Sequence, residues 1–238
     1  MTSYLGAKTQ SGTWQRILGA MPPHDTYIEL FLGSGAIMNR RAALGIAAMR
    51  TIGVEIDRSV VAKFGYPEGT EILNKDALWY LRQMEPGPIL SGGDPSYGKV
   101  LIYADPPYML ETRTSRHRYA HDFTHDDHVA LLSALKALEC DMILSGYPSA
   151  LYDEMLDDWR KTEFQAMTRG GVRTECLWMN YAQYKPFWHT IAGENSAERW
   201  RISKKSKRWG HRLARLPDAE KMACFAACCE AMEKGDTS

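Results

Sequence analysis

Short apolar runs of strand length alternate with stretches of helix length across the first 145 residues or so, and that rhythm excludes most folds. Residues 27–32, 51–56, 70–74, 100–104 and 141–145 read as strands, with helices at 36–44, 59–64, 77–84 and 126–138. Such alternation makes a largely parallel sheet with helices on both faces, because a parallel crossover needs a connection long enough to hold a helix. The helix at 126–138 is announced by Thr124 with Asp127 three residues on, a capping signal, and carries a stripe of Leu131, Leu132, Leu135 and Leu138. After the fifth strand the pattern changes. Residues 163–168 and 174–180 flank Arg169-Gly170-Gly171-Val172-Arg173 and predict an antiparallel hairpin around a Gly-Gly turn. A mainly parallel sheet that ends in an antiparallel hairpin is a narrower class than a generic doubly wound α/β fold.

The 238 residues suffice for one medium-sized domain and an extension. Residues 1–185 hold the alternating part, 186–198 read as a linker, and 199–238 form a basic helical extension. Lys plus Arg and Asp plus Glu are 29 each, so net charge says nothing about partners. Distribution does: from Arg199 to Arg215 every charged residue is basic (Arg199, Arg201, Lys204, Lys205, Lys207, Arg208, Arg212, Arg215). The cysteine count, 5, is odd and lacks a framework-like spacing, which points to a reducing compartment. Cys224 and Cys228 lie one helical turn apart and read as small apolar residues, not as a metal pair. No apolar run reaches transmembrane length and the amino-terminal MTSYLGAKTQ has no signal-peptide core, so the expected location is the cytoplasm.

The segment Tyr27-Ile28-Glu29-Leu30-Phe31-Leu32-Gly33-Ser34-Gly35-Ala36 runs from a strand into a helix through glycines. Gly33 and Gly35 allow the backbone to approach a ligand closely, and the helix start offers unpaired N–H groups to a carboxylate. The third glycine of a dinucleotide fingerprint falls on Met38, so the spacing fits a dinucleotide fold poorly, although these pocket residues do not by themselves separate a sulfonium cofactor from a nicotinamide. The second strand ends in Gly53-Val54-Glu55-Ile56-Asp57, where Glu55 is the first choice for accepting both hydroxyls of a ribose and Asp57 the second. Asp76, after the third strand, either reaches an adenine amine or caps the next helix.

The fourth strand runs into Asp105-Pro106-Pro107-Tyr108. Residues before proline avoid the helical region and prolines fix their own φ, so this is a stiff element at the carboxyl end of a central strand, where open α/β sheets place ligands. It suits transfer to an aromatic amine. The lone pair of adenine N6 is delocalised into the ring; acceptors on its hydrogens, the Asp105 carboxylate and the Pro106 carbonyl, would draw the nitrogen toward a tetrahedral geometry and stabilise the developing positive charge. Tyr108 offers a face for a base rotated out of the duplex, a role that needs the ring and not the hydroxyl. Asp94-Pro95-Ser96-Tyr97 is nearly the same word, but it follows Gly92-Gly93 instead of an apolar strand and reads as a loop.

With these words in order, residues 4–181 resemble the Dam-like, D12-class family of DNA adenine methyltransferases. The likeness rests on Tyr4-Leu5-Gly6-Ala7-Lys8, Glu29-Leu30-Phe31-Leu32-Gly33-Ser34-Gly35, Asp105-Pro106-Pro107-Tyr108 and Arg173-Thr174-Glu175-Cys176-Leu177-Trp178-Met179-Asn180. It implies a Rossmann-like class I methyltransferase fold with a seven-stranded sheet, S-adenosylmethionine as cofactor and DNA as partner. It further implies that Tyr4 and Lys8 lie near the cofactor and the flipped base, that Glu29 belongs to the cofactor site, that Phe31 packs against the cofactor, and that Asp105 and Tyr108, with Pro106 and Pro107 between them, are catalytic. Dam-type enzymes carry a sizeable target-recognition region before the catalytic strand; here only residues 77–99 are available, which predicts a very short recognition site or near-indifference to sequence context.

Two segments compensate in this reading. The loop after the tetrapeptide is polar and cationic, and Arg113, Arg116 and Arg118 are placed to contact phosphates or base edges. In the basic extension Lys204, Lys205, Lys207 and Arg208, with Trp200 and Trp209 interleaved, suit a phosphate backbone. Two other readings share most of these residues. An RNA (ribosomal) base N-methyltransferase would keep the pocket and the tetrapeptide; a non-catalytic nucleic-acid-binding protein on the same scaffold would have no need of Asp105 and Tyr108.

Overall fold

The computed structural model describes residues 8, 12–46, 48–84, 97–109, 122–168, 171–182, 192–193 and 195–234. The chain divides after Trp188 into two compact units. The first contains α1 (Thr13–Ala20), β1 (Thr26–Leu30), α2 (Ala36–Ala43), β2 (Arg50–Val54), α3 (Arg58–Lys63), β3 (Glu71–Leu73), α4 (Ala77–Met84), β4 (Val100–Ala104), α5 (His125–Lys136), β5 (Asp141–Gly146), α6 (Ala150–Met155), β6 (Arg160–Thr168) and β7 (Gly171–Met179). The strands form one sheet in the order β3-β2-β1-β4-β5-β7-β6. All neighbours are parallel except β5 with β7 and β7 with β6. This is the Rossmann-like, mainly parallel seven-stranded sheet ending in an antiparallel hairpin.

Every residue of β1 and β4 is buried, as expected of central strands covered on both faces. Ile28, Leu30, Ile102 and Ala104 join Leu81 of α4 and Leu131 and Leu135 of α5 in one core cluster. The alternate positions, among them Tyr27, Glu29 and Tyr103, point to the other face. Strand order reverses at β1: β2 lies on one side and β4 on the other. That switch point opens a crevice at the carboxyl ends of β1 and β4, where Leu30 pairs with Ala104.

Local sequence accounts for several element ends. The Thr124–Asp127 pair forms the anticipated capping box at α5. Asp57 caps α3, accepting from Ser59 N at 2.8 Å. Other boundaries differ from those predicted. β1, β2 and β3 end one or two residues early, because the chain leaves the sheet at Phe31 and Glu55 to build the site. The hairpin arms are longer, with Thr168 opposite Gly171 and Ala166 opposite Arg173, so Val172 and Arg173 belong to the ladder and not to the turn. Helices α1 and α6, of eight and six residues, are additions to the predicted elements. Of the second tyrosine word, positions 94–96 lie outside the described residues.

The second unit contains α7 (Ser196–Ala214) and α8 (Asp218–Lys234). α7 begins three residues inside the stretch read as linker, because Asn195 caps it by accepting from Glu198 N at 2.9 Å. Glu198 in the first turn and His211 and Arg212 in the last complement the helix dipole. Met222 and Phe225 are exposed on α8. No helix among the described residues is long and apolar enough to cross a membrane.

Candidate active site

The glycine turn after β1 forms one wall of the crevice. Gly33 and Gly35 have φ of 53° and 62°, in the left-handed region, and Gly35 caps α2. A Cβ on Gly35 would lie 2.9 Å from the Tyr66 ring, so the position is closed to a side chain as well as strained for one. Phe31 also has a positive φ, 58°, the one such non-glycine value among the described residues. For a bulky residue that costs on the order of 1–3 kcal/mol and persists only when the surroundings hold it. Here Phe31 packs edge-on against Phe123 at 5.3 Å, at the lip of the crevice.

Glu55 ties this wall together. Its Oε2 accepts from Gly33 N at 2.7 Å and its Oε1 from Asp57 N at 2.9 Å. Asn74 donates to the carbonyls of Glu55 and Ile56, both at 2.8 Å, and the Tyr66 hydroxyl donates to the Gly33 carbonyl at 3.0 Å. Each Glu55 oxygen keeps a second lone pair. Asp57 and Asp76 both act as helix caps, Asp76 accepting from Trp79 N at 2.8 Å. Glu29 sits within the sheet, 3% exposed, and accepts from the Tyr27 hydroxyl at 2.9 Å. Burial pushes its carboxyl up to about 8, so it is mostly neutral at pH 7.

The opposite wall is the tetrapeptide, with four side chains converging on it: Lys8, Ser145, Tyr147 and Glu175. The Lys8 ammonium donates to both oxygens of Asp105, at 2.8 Å each, and to the Tyr108 hydroxyl. Ser145, at the end of β5, donates to Asp105 Oδ1 at 2.8 Å and lies 3.0 Å from the Tyr103 hydroxyl. Tyr108 donates to Glu175 Oε2 of β7 at 2.9 Å. Its ring lies 4.3 Å from that of Tyr147. Burial first, then the Asp105 and Glu175 carboxylates, hold the Tyr108 phenol well above its usual range, so it donates hydrogen bonds and does not ionise. Burial also raises the carboxyl of Glu175, partly offset by Lys8. Pro106 is buried and Pro107 half-buried, which fixes Asp105 between strand and ring.

The structure thus brings together Lys8, Phe31, Gly33, Gly35, Glu55, Asp105, Pro106, Pro107 and Tyr108 around one crevice. Tyr4, Arg113, Arg116 and Arg118 lie outside the described residues, and Lys204, Lys205, Lys207 and Arg208 are exposed on α7. Sequence reasoning missed Ser145, Tyr147 and Tyr66 and gave Glu175 no task. Ser145 was findable in principle: it ends the strand beside β4, on the same rim as Asp105. Reading Tyr108 as a ring alone was incomplete, since its hydroxyl bridges a cation and a carboxylate. Among the described residues no group of three or more His, Cys, Asp or Glu is placed to hold a metal ion. A separate cavity lined by Arg41, Thr51 and Glu68 opens at the amino ends of β2 and β3 and contains none of the anticipated site residues.

No protein-family model matches the chain, and no curated protein matches it. Its structure is similar to that of a precorrin-6y C5,15-methyltransferase from Geobacter metallireducens, at 10% identity over 75% of this chain and 93% of that one, TM-score 0.44. It is also similar to a ribosomal protein L11 methylase from Lactobacillus delbrueckii subsp. bulgaricus, at 14% identity over 72% and 78%, TM-score 0.39. A third is a spermidine synthase from Thermotoga maritima, at 14% identity over 72% of this chain and 61% of that one, TM-score 0.44, so the chain spans less than two thirds of that enzyme.

Proposed function

We propose that this chain transfers a methyl group from S-adenosylmethionine to the N6 amine of adenine in DNA. One observation carries the reading: an acceptor-rich, rigid Asp105-Pro106 corner with Tyr108 beside it, facing a glycine turn across the switch point of the sheet. The turn fits the cofactor. The left-handed turn at Gly33 and Gly35 leads the backbone into the α2 N-terminus, whose N–H groups suit the cofactor carboxylate, and Glu55 retains lone pairs for ribose hydroxyls. Bound there, the cofactor would supply an electrophilic methyl group.

The chain's own residues act on the amine. Asp105 and the Pro106 carbonyl accept its two hydrogens, localise the nitrogen lone pair and stabilise the positive charge that grows on it. Ser145 holds Asp105 in place. The faces of Tyr108 and Tyr147 provide stacking surface for a base taken out of the helix. Phe31 closes the pocket from the β1 side. Exposed Lys204, Lys205, Lys207 and Arg208 on a well-capped helix serve the phosphate backbone. This chemistry belongs with cytoplasmic or nucleoid DNA.

An RNA base would meet the same side chains. The resemblance of the Gly6-Ala7-Lys8 word and the Arg173–Trp178 word to DNA adenine enzymes favours DNA. The test separates binding from chemistry. Asp105→Ala should abolish methylation and leave S-adenosylmethionine binding, by calorimetry, largely intact; Glu55→Ala should weaken that binding. Unchanged methylation by Asp105→Ala, on DNA or RNA, would refute the mechanism.

A further inference from the structure

Lys8 stands where the reading above places the target amine. Its ammonium donates to both oxygens of Asp105, and Oδ1 also accepts from Ser145, so that oxygen has both lone pairs engaged. An amine that is to donate to Asp105 must share or take this place. A lysine left there would also put a second positive charge beside a nitrogen that becomes cationic during transfer, which opposes the reaction.

A second acceptor lies within reach. Glu175 is 4% exposed, projects from β7 toward the tetrapeptide, and accepts from the Tyr108 hydroxyl. The same hydroxyl accepts from Lys8. The ammonium and the Glu175 carboxylate therefore sit on either side of one oxygen atom, no more than two hydrogen bonds apart. A buried cation that leaves one carboxylate needs another, because an unpaired charge in such a place is costly. Among the described residues Glu175 is an acidic group so placed, and no step assigned to Asp105, Pro106 or Tyr108 uses it.

We infer that Lys8 is a placeholder, held on Asp105 in the empty enzyme and passed to Glu175 when the target amine arrives. Glu175 is then a positioning residue: it touches neither cofactor nor amine, and acts by receiving Lys8. The inference rests on the amine-transfer reading. It explains why the chain keeps a carboxylate beneath Tyr108, where a neutral acceptor would hold the hydroxyl equally well.

Two measurements test it. The first needs no activity. In a crystal structure of Asp105→Ala, the Lys8 ammonium should lie within hydrogen-bond distance of the Glu175 carboxylate; a Lys8 turned to solvent overturns the inference. The second is a double-mutant cycle. Glu175→Gln keeps an oxygen for Tyr108 and removes only the charge. It should lower kcat/KM for DNA roughly 10- to 100-fold, the worth of a hydrogen bond to a charged group, with S-adenosylmethionine affinity unchanged and Glu175→Asp partly restoring the rate. In a Lys8→Met background the same substitution should cost less than about twofold, because no lysine remains to be received. If the two losses multiply, Glu175 acts independently of Lys8 and the inference fails. If the wild type methylates neither DNA nor RNA, the functional reading fails, while the Asp105→Ala structure still decides whether Glu175 receives Lys8.

Discussion

Replacing Glu29 by Gln should change how stability depends on pH between about 4.5 and 8. Glu29 is 3% exposed inside β1, and burial raises its carboxyl from 4.5 to about 8. In the unfolded chain it ionises near its ordinary value. Below that value both states hold the proton and the group leaves stability untouched. As pH rises the unfolded state releases its proton while the folded state keeps it, so stability falls until the folded carboxyl also ionises, near 8. At 1.36 kcal/mol per pH unit, the interval from 4.5 to about 8 amounts to roughly 5 kcal/mol. That is a large share of the 5–15 kcal/mol typical of a folded domain. Glu29→Gln keeps an oxygen for the Tyr27 hydroxyl and cannot ionise. Urea unfolding at pH 5, 6, 7 and 8 should show the wild type losing stability relative to the variant by about 1.4 kcal/mol per unit. Parallel curves across that range would show that Glu29 is already ionised in the folded protein, and would refute the burial argument.

Tyr108→Phe tests the hydroxyl contacts. Stacking alone predicts little loss, whereas the observed bridge between Lys8 and Glu175 predicts a fall in kcat of about 10-fold or more with cofactor affinity retained; a fully active Phe variant would show that the bridge has no catalytic consequence. Reversing the charges of Lys204, Lys205, Lys207 and Arg208 should weaken nucleic-acid binding and reduce the log–log salt slope by about 0.9 for each lost phosphate contact on duplex DNA. Affinity and slope both unchanged in a filter-binding titration would mark α7 as a solvated face.

Much of this arrangement was legible in the sequence, for physical reasons. β4 shows because a strand covered on both faces tends to read as an unbroken apolar run, as Val100 to Ala104 do. Gly33 and Gly35 show because the left-handed backbone excludes most side chains. The double proline shows because it can do little but stiffen a strand end. What did not show depends on contacts between segments distant in sequence. Glu55 reads as a ribose acceptor, yet it also anchors the glycine turn across 22 residues. Ser145 reaches Asp105 only because β5 lies beside β4. Glu175 reaches Tyr108 only because the hairpin folds back onto β5, which places β7 rather than β6 beside it. Phe31 carried no mark of its positive φ, since backbone strain at a bulky residue leaves no trace in composition.

The most direct test of the central claim is to express the chain in cells that lack adenine methylation and to sequence their DNA and RNA for modified bases. The account predicts N6-methyladenine in DNA, at a very short recurring sequence or with little context preference, and none from cells expressing Asp105→Ala. Methylated RNA with unmodified DNA would move the activity to the other nucleic acid, and unmodified DNA and RNA alike would contradict the claim that this site transfers methyl groups to a nucleic-acid base.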